Sequence, residues 1–145
     1  MAIAALVAWV LTALGGFVML AKWISSGGLH KQRDRTTHFP AGLVFEHLGL
    51  AAAGLMLWIA YLLLDNDRLA WIAFVVLLPV AVLGFAMFAR WGAGRRRSTI
   101  DVTSSGAATH GGLPAEQTLP IPVVAAHGVF AAATVVLVLL AALAG

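Results

Sequence analysis

Four long apolar stretches alternate with polar segments along this chain. Each runs for about 20 residues or more almost without charge, enough at about 1.5 Å per residue to cross a hydrocarbon core about 30 Å thick. The pattern predicts helices over residues 2–24, 40–64, 69–91 and 120–144. We expect the first to be a retained helix, because it lacks a basic n-region and its apolar run is too long for a signal peptide. The prediction is an all-α polytopic membrane protein, a four-transmembrane-helix bundle in a single domain.

The polar segments between these helices predict how the helices are connected. The acidic stretch 65–68 is so short that helices 2 and 3 should be antiparallel neighbours. Longer loops are predicted over residues 25–39 and 92–119, the second rich in small and polar residues without an apolar period. No internal repeat is evident in the sequence.

Composition narrows the class further. Apolar residues make up 61% of the chain and charged residues 10%, whereas soluble domains carry about 25% charged residues. Cysteine is absent, which excludes disulfides, thiolate metal sites and covalent c-type haem attachment. The net charge of +3 does not indicate nucleic acid as a partner, because the basic residues flank membrane segments, where they set topology and meet anionic lipid.

The distribution of basic residues predicts the orientation. They cluster around the two long loops, at Lys22, Lys31, Arg33 and Arg35 and at Arg90, Arg95, Arg96 and Arg97. By the positive-inside rule both loops are cytoplasmic, with both termini outside, in a bacterial cytoplasmic (inner) membrane. Trp71 and Tyr61 should then anchor the outer interface, and Trp23 and Trp91 the inner one.

Ionisable groups inside membrane helices are candidates for function. Placing an unpaired ionisable group in the bilayer costs roughly several kcal/mol, so such residues are usually paired or functional. Three lie clearly past a helix start: Glu46, His47 and His127. Each histidine is about seven residues into its helix, and both helices begin on the same side, so both imidazoles should lie about 10 Å deep. Two imidazoles at one depth on different helices are what a six-coordinate haem b requires.

The neighbours of the two histidines are small. Ala51 and Gly54 lie one and two turns after the first, and Gly128 and Ala131 follow the second. Such residues let a flat macrocycle lie close to the backbone, although they also let helices pack closely without a cofactor. The arginines that could pair with haem propionates at this end are Arg33, Arg35, Arg95, Arg96 and Arg97.

Two other interpretations of the histidines remain open. Each imidazole could make a structural hydrogen bond between helices. Alternatively, Glu46 with both histidines and His38 could form a divalent-metal or proton-handling site. Glu46 and His47, however, point about 100° apart on a helix. His30 and His110 lie in loops, where histidines are usually solvated.

Small residues also mark faces where another helix can approach closely: Gly15, Gly16, Gly49, Ala53 and Gly84. The expected partners are the lipid bilayer and other membrane protein subunits, or a second copy of the chain. No Walker sequence, nucleophile elbow or zincin motif occurs, so we expect no enzyme activity of the chain's own.

Two motifs carry a resemblance to known proteins. Helix 2 opens with Glu46, His47, Leu48 and Gly49, and helix 4 with Pro122, Val123, Val124, Ala125, Ala126, His127 and Gly128. The chain resembles small four-helix bacterial membrane proteins of unassigned function and, in layout, membrane b-type cytochromes whose haem lies between helices. It departs from di-haem cytochromes in lacking a second histidine pair.

The resemblance to b-type cytochromes implies a haem-binding or electron-transfer subunit with one haem b between helices 2 and 4. The alternative is a cofactor-free accessory or structural subunit of a larger membrane complex.

Overall fold

The computed structural model describes residues 1–30, 39–104 and 114–144, with side chains in the second range given as far as Arg96. Regular structure in these residues is entirely helical. The elements are α1 (Ala2–Ser25), α2 (Ala41–Leu64), α3 (Asp67–Ser104), a 3-10 helix (Ala115–Thr118) and α4 (Ile121–Ala144). Within the described chain, α1 to α4 are each long and apolar enough to cross a membrane. The predicted four-helix transmembrane bundle is therefore confirmed.

The turn between α2 and α3 is as short as predicted. α2 ends because Asp65 adopts a left-handed conformation with φ of 49° and donates its amide to the Tyr61 carbonyl. The side-chain oxygen of Asn66 accepts the Arg68 amide at 3.1 Å and so satisfies a free donor at the start of α3. The two helices pack along each other as antiparallel neighbours.

α3 is longer than predicted. It continues past Trp91 to Ser104, where the sequence predicted a loop. Arginine is a good helix former, and the Arg95 guanidinium lies 5.1 Å from the centre of the Trp91 ring, one turn earlier. The same guanidinium donates to the Gln117 carbonyl at 3.3 Å. The change from apolar to charged residues therefore does not mark the end of this helix.

The helices pack as two main antiparallel pairs, α1 on α4 and α2 on α3, with α3 also contacting α4. We call the end of the bundle that carries Lys22, Arg90, Arg95 and Arg96 the basic end, and the end with residues 65–66 and both termini the turn end. One buried cluster lies towards the turn end, around Trp9, Trp58, Ala73 and Val138. A second lies at the basic end, around Trp23, Trp91, Leu119 and Val124.

Matched positions along the helices reveal an internal repeat, so the expectation of none was wrong. At one constant offset, α1 matches α3: Ala5 with Ala73, Trp9 with Leu77, Thr12 with Val80, Gly16 with Gly84 and Trp23 with Trp91. At another, α2 matches α4: Pro40 with Pro120, Val44 with Val124, His47 with His127, Gly54 with Thr134 and Trp58 with Val138. The packing of α1 on α4 thus corresponds to that of α3 on α2. The match also includes exposed positions, such as Val7 with Val75 and Phe17 with Phe85.

The tryptophans at the basic end are not interface anchors, contrary to the sequence prediction. Trp23 is 2% exposed and Trp91 8% exposed, so both indoles face the protein interior. A Cβ on Gly28 would collide with the Trp23 ring, and this glycine therefore lets the chain after α1 fold over the indole. At the turn end, Trp71 is exposed, and Tyr61 packs on Trp58 with ring centroids 4.9 Å apart.

Candidate functional site

His47 is held inside the bundle by the helix on which α2 packs. α2 begins directly after Pro40, whose carbonyl accepts the Val44 amide, and His47 lies one turn further on. Its Nδ1 is 3.0 Å from the carbonyl oxygen of Val80 on α3. Because a carbonyl only accepts hydrogen bonds, this nitrogen carries the proton and donates. In the neutral ring, the other nitrogen, Nε2, then carries the lone pair.

His127 repeats this arrangement in the other helix pair. Pro120 precedes α4 and its carbonyl accepts the Val124 amide. The Nδ1 of His127 is 2.9 Å from the carbonyl oxygen of Thr12 on α1. Thr12 and Val80 are matched positions of the repeat, so both imidazoles use the same ring nitrogen, Nδ1, to bind a carbonyl of the neighbouring helix.

The structure brings the two imidazoles together in the bundle interior. Their ring centroids are 6.5 Å apart and their planes are inclined by 61°. Among the described residues, the hydrogen bonds of both rings use Nδ1 alone. The result is a facing pair of imidazoles, contributed by α2 and α4.

Glycines on α1 and α3 make room for the rings. A Cβ on Gly84 would lie 3.1 Å from Cε1 of His47, and a Cβ on Gly16 would lie 3.3 Å from Cε1 of His127. Gly15 also faces His127, with a Cβ position 3.5 Å from that of the histidine. The sequence predicted that another helix could approach these three glycines closely. In the structure, this close approach is made by the two histidine side chains of the same chain. Sequence reasoning missed their place at the histidines, although Gly16–Trp23 and Gly84–Trp91 share one spacing that could have revealed it.

The small residues predicted to surround the histidines have different environments. Ala51 and Ala131 are partly buried on the inner sides of their helices. Gly54 is buried, but Trp9 fills the space beside it, with ring carbon Cζ2 3.0 Å from a Cβ position. Gly128 is exposed, and no described atom lies within 4 Å of its Cβ position. It faces away from the pair because consecutive helical residues point about 100° apart.

The metal site that included Glu46 is not formed by the described residues. Glu46 is exposed, and no group of three or more His, Cys, Asp or Glu side chains in the described part of the chain is placed to hold a metal ion. His30 is exposed in the turn after α1. The other residues considered from the sequence, Arg33, Arg35, His38, His110 and the Arg97 side chain, lie outside the described residues.

Two unpaired donors lie between the histidines and the basic end. The Nε1 atoms of Trp23 and Trp91 are buried without a hydrogen-bond partner in the described structure. Each indole follows the glycine that contacts a histidine by about two turns, or about 10 Å along the helix. They are the matched positions of the repeat, so the bundle presents a pair of donors as well as a pair of imidazoles.

These features define a class, a four-helix bundle of membrane-spanning length with a facing imidazole pair in its interior. No protein-family model, curated protein or solved structure matches the chain.

Proposed function

We propose that this chain is a membrane haem-binding, electron-transfer subunit that holds one haem b between α2 and α4, with His47 and His127 as the axial ligands. The observation that carries the proposal is the facing imidazole pair, with centroids 6.5 Å apart. Imidazole nitrogens bind transition metals at about 2 Å. With a ring radius of about 1 Å, two axial imidazoles on one iron have centroids roughly 6 Å apart.

The protonation pattern of the rings supports the same function. Histidines that bind metals almost always donate their second ring nitrogen to a carbonyl, a carboxylate or water. Both rings do so here, to the carbonyls of Val80 and Thr12. A structural hydrogen bond would explain either histidine by itself. It does not by itself explain why two imidazoles on different helices lie face to face with the same Nδ1 hydrogen-bond pattern.

The glycines supply space beside the rings. Gly16 and Gly84 come from α1 and α3, the two helices that do not carry the histidines, and each contacts one imidazole. A side chain at either position would press on the imidazole ring, so the two glycines allow the rings to lie where they do. When bound, haem iron with two axial histidines supplies one-electron redox chemistry and leaves no coordination position open. The carbonyls of Thr12 and Val80 fix the ring orientations.

The test is the absorption spectrum of the purified full chain after expression with haem supply. We expect a Soret band and low-spin bands, with one haem per chain by pyridine haemochrome assay. His47→Ala and His127→Ala should each abolish or convert the low-spin spectrum, whereas His30→Ala and His110→Ala should leave it unchanged. A colourless wild type that does not bind added haemin, or histidine variants that keep the spectrum, would show that the proposal is wrong.

A second candidate is a cofactor-free accessory subunit of a larger membrane complex. One observation favours contact with a partner: Gly49 and Ala53 are exposed, one turn apart on α2, and no described atom lies within 4 Å of the Gly49 Cβ position. Such a surface lets another helix approach closely. Native mass spectrometry from mild detergent tests it. If native mass spectrometry shows only monomer and the protein has a haem spectrum, the haem-binding function is favoured over the accessory-subunit function.

We also propose that the basic end faces the cytoplasm of a bacterial cell, with both termini outside the inner membrane. The support is the contrast between Lys22, Arg90, Arg95 and Arg96 at one end and Asp65 and Asp67 at the other. Reporters fused after Gly145 or inserted at Asn66 should read as external. A cytoplasmic signal from the C-terminal fusion would reverse the orientation.

A further inference from the structure

Among the residues that the structure describes, the buried indoles of Trp23 and Trp91 lack an acceptor. Tryptophan buried in a protein usually finds a partner for its N–H, and an unpaired buried donor costs about 1–3 kcal/mol. Two such donors at matched positions of the repeat indicate that an acceptor binds between them. The same chain satisfies a third buried indole, because Nε1 of Trp58 donates to the Ala2 carbonyl at 3.3 Å.

The position of the two indoles indicates what kind of acceptor they need. They belong to one buried cluster that also contains Val124, one turn before His127, and Val44 packs against it, one turn before His47. The cluster therefore lies directly between the imidazole pair and the basic end. Two charged groups adjoin it: the Arg95 guanidinium lies over the Trp91 ring, and the buried Glu116, next to Ala115 of the cluster, has a partner of its own. Donors beside positive charge favour an anionic acceptor.

We propose that Trp23 and Trp91 each donate their indole N–H to a propionate carboxylate of the haem. This inference rests on the proposed function and assigns the orientation of the haem within the bundle. Haem carries its two carboxylates on one edge, and the bundle offers two matched donors at one end. About 10 Å of helix separates each indole from the glycine beside a histidine, a distance that suits the span from iron to propionate. The propionates therefore point to the basic end.

The principal test replaces each indole and measures how tightly haem is held. Trp23→Phe and Trp91→Phe keep an apolar ring but remove the donor. Each should speed transfer of haem to apomyoglobin about tenfold, because hydrogen bonds to charged groups are the stronger class. The low-spin spectrum should be unchanged. The matched control is Trp71→Phe at the exposed turn end, which should transfer haem at the wild-type rate.

Haem dimethyl ester provides an independent measurement, since its esterified propionates carry no charge. The wild type should bind it more weakly than haem, and the two Trp→Phe variants should lose that preference. Gly28→Ala, which would displace the Trp23 ring, should behave like Trp23→Phe, whereas Gly92→Ala, with no described atom within 4 Å of its Cβ position, should not. Ultraviolet resonance Raman should show stronger indole hydrogen bonding in the wild type on haem addition.

The outcomes separate this inference from the function on which it rests. If the wild type binds no haem, the proposed function fails and the inference with it. If haem binds with a low-spin spectrum, but both Trp→Phe variants match Trp71→Phe and the ester binds as well as haem, only the inference is wrong. If the indole N–H bands of haem-free protein shift on adding vesicles of phosphatidylglycerol, and haem adds no further shift, the donors serve lipid phosphate and the inference is also overturned.

Discussion

The two halves of the bundle treat their polar groups in opposite ways. In the half at the turn end, Trp58 is fully buried and its N–H is paired. The hydroxyls of Thr12 and Thr134 each donate within their own helix, to Ala8 and Phe130, and lie 3.3 Å from each other. In the half at the basic end, the two indole donors of Trp23 and Trp91 are buried without a partner among the described residues.

This difference suggests a division of work within one small protein. A satisfied apolar core contributes stability, whereas unpaired buried groups reduce it and are retained where they serve binding. The half at the turn end therefore holds the helices in place, and under the proposed function the half at the basic end presents the ligands. Changes in one half should alter stability, and changes in the other should alter the cofactor.

The largest effect is expected from Gly84→Leu. The leucine side chain would occupy the space of the His47 ring, whose Cε1 lies 3.1 Å from a Cβ at this position. We expect complete loss of the low-spin haem spectrum and an overpacking cost of about 1–3 kcal/mol. Absorbance and unfolding in mixed micelles measure the two effects. Gly92→Leu, at an open position, is the matched control, and a haem spectrum in Gly84→Leu would place the haem elsewhere.

Trp58→Ala should cause the largest loss of stability without a change in the spectrum. Its side chain is fully buried, and truncating a buried tryptophan costs about 3–5 kcal/mol. Denaturant titration in micelles measures the loss, with the exposed Trp71→Ala as control at under about 1 kcal/mol. If folded Trp58→Ala also loses its haem ligation, the two halves are coupled and the division of work is not real.

Thr134→Val should have a smaller effect in the same half. The change removes one hydroxyl that bonds Phe130 and faces Thr12 but keeps the shape of the side chain. Polar contacts between membrane helices are worth about 0.6 kcal/mol on average, so we expect a loss of about that size. A loss comparable to that of Trp58→Ala would mean that the hydroxyl pair, and not apolar packing, holds this half together.

Gly49→Leu should leave both stability and haem content close to the wild type. The glycine is exposed with no described atom near its Cβ position, so the leucine would face lipid or a partner. If a partner helix packs there, native mass spectrometry should show loss of association while the spectrum persists. A change in haem ligation would contradict the inward position of the site.

Much of the architecture is local and was predictable. Length and hydropathy alone define four spanning helices, and the acidic residues at 65–68 define a tight turn. Counting residues from Pro40 and Pro120 places both histidines at one depth. These predictions succeed because the free energy of placing a segment in lipid depends on the segment itself.

Which side of each helix faces the protein interior was decided only by the tertiary structure. Gly128 was expected beside the histidines but faces outward, whereas Gly16 and Gly84 contact the rings. Trp23 and Trp91 were expected at the interface but are buried. In a membrane protein the lipid and the interior are both apolar, so an apolar pattern does not show which face of a helix points inward. That face is set by the neighbouring helices, and here by the carbonyls of Thr12 and Val80 that orient the two imidazoles.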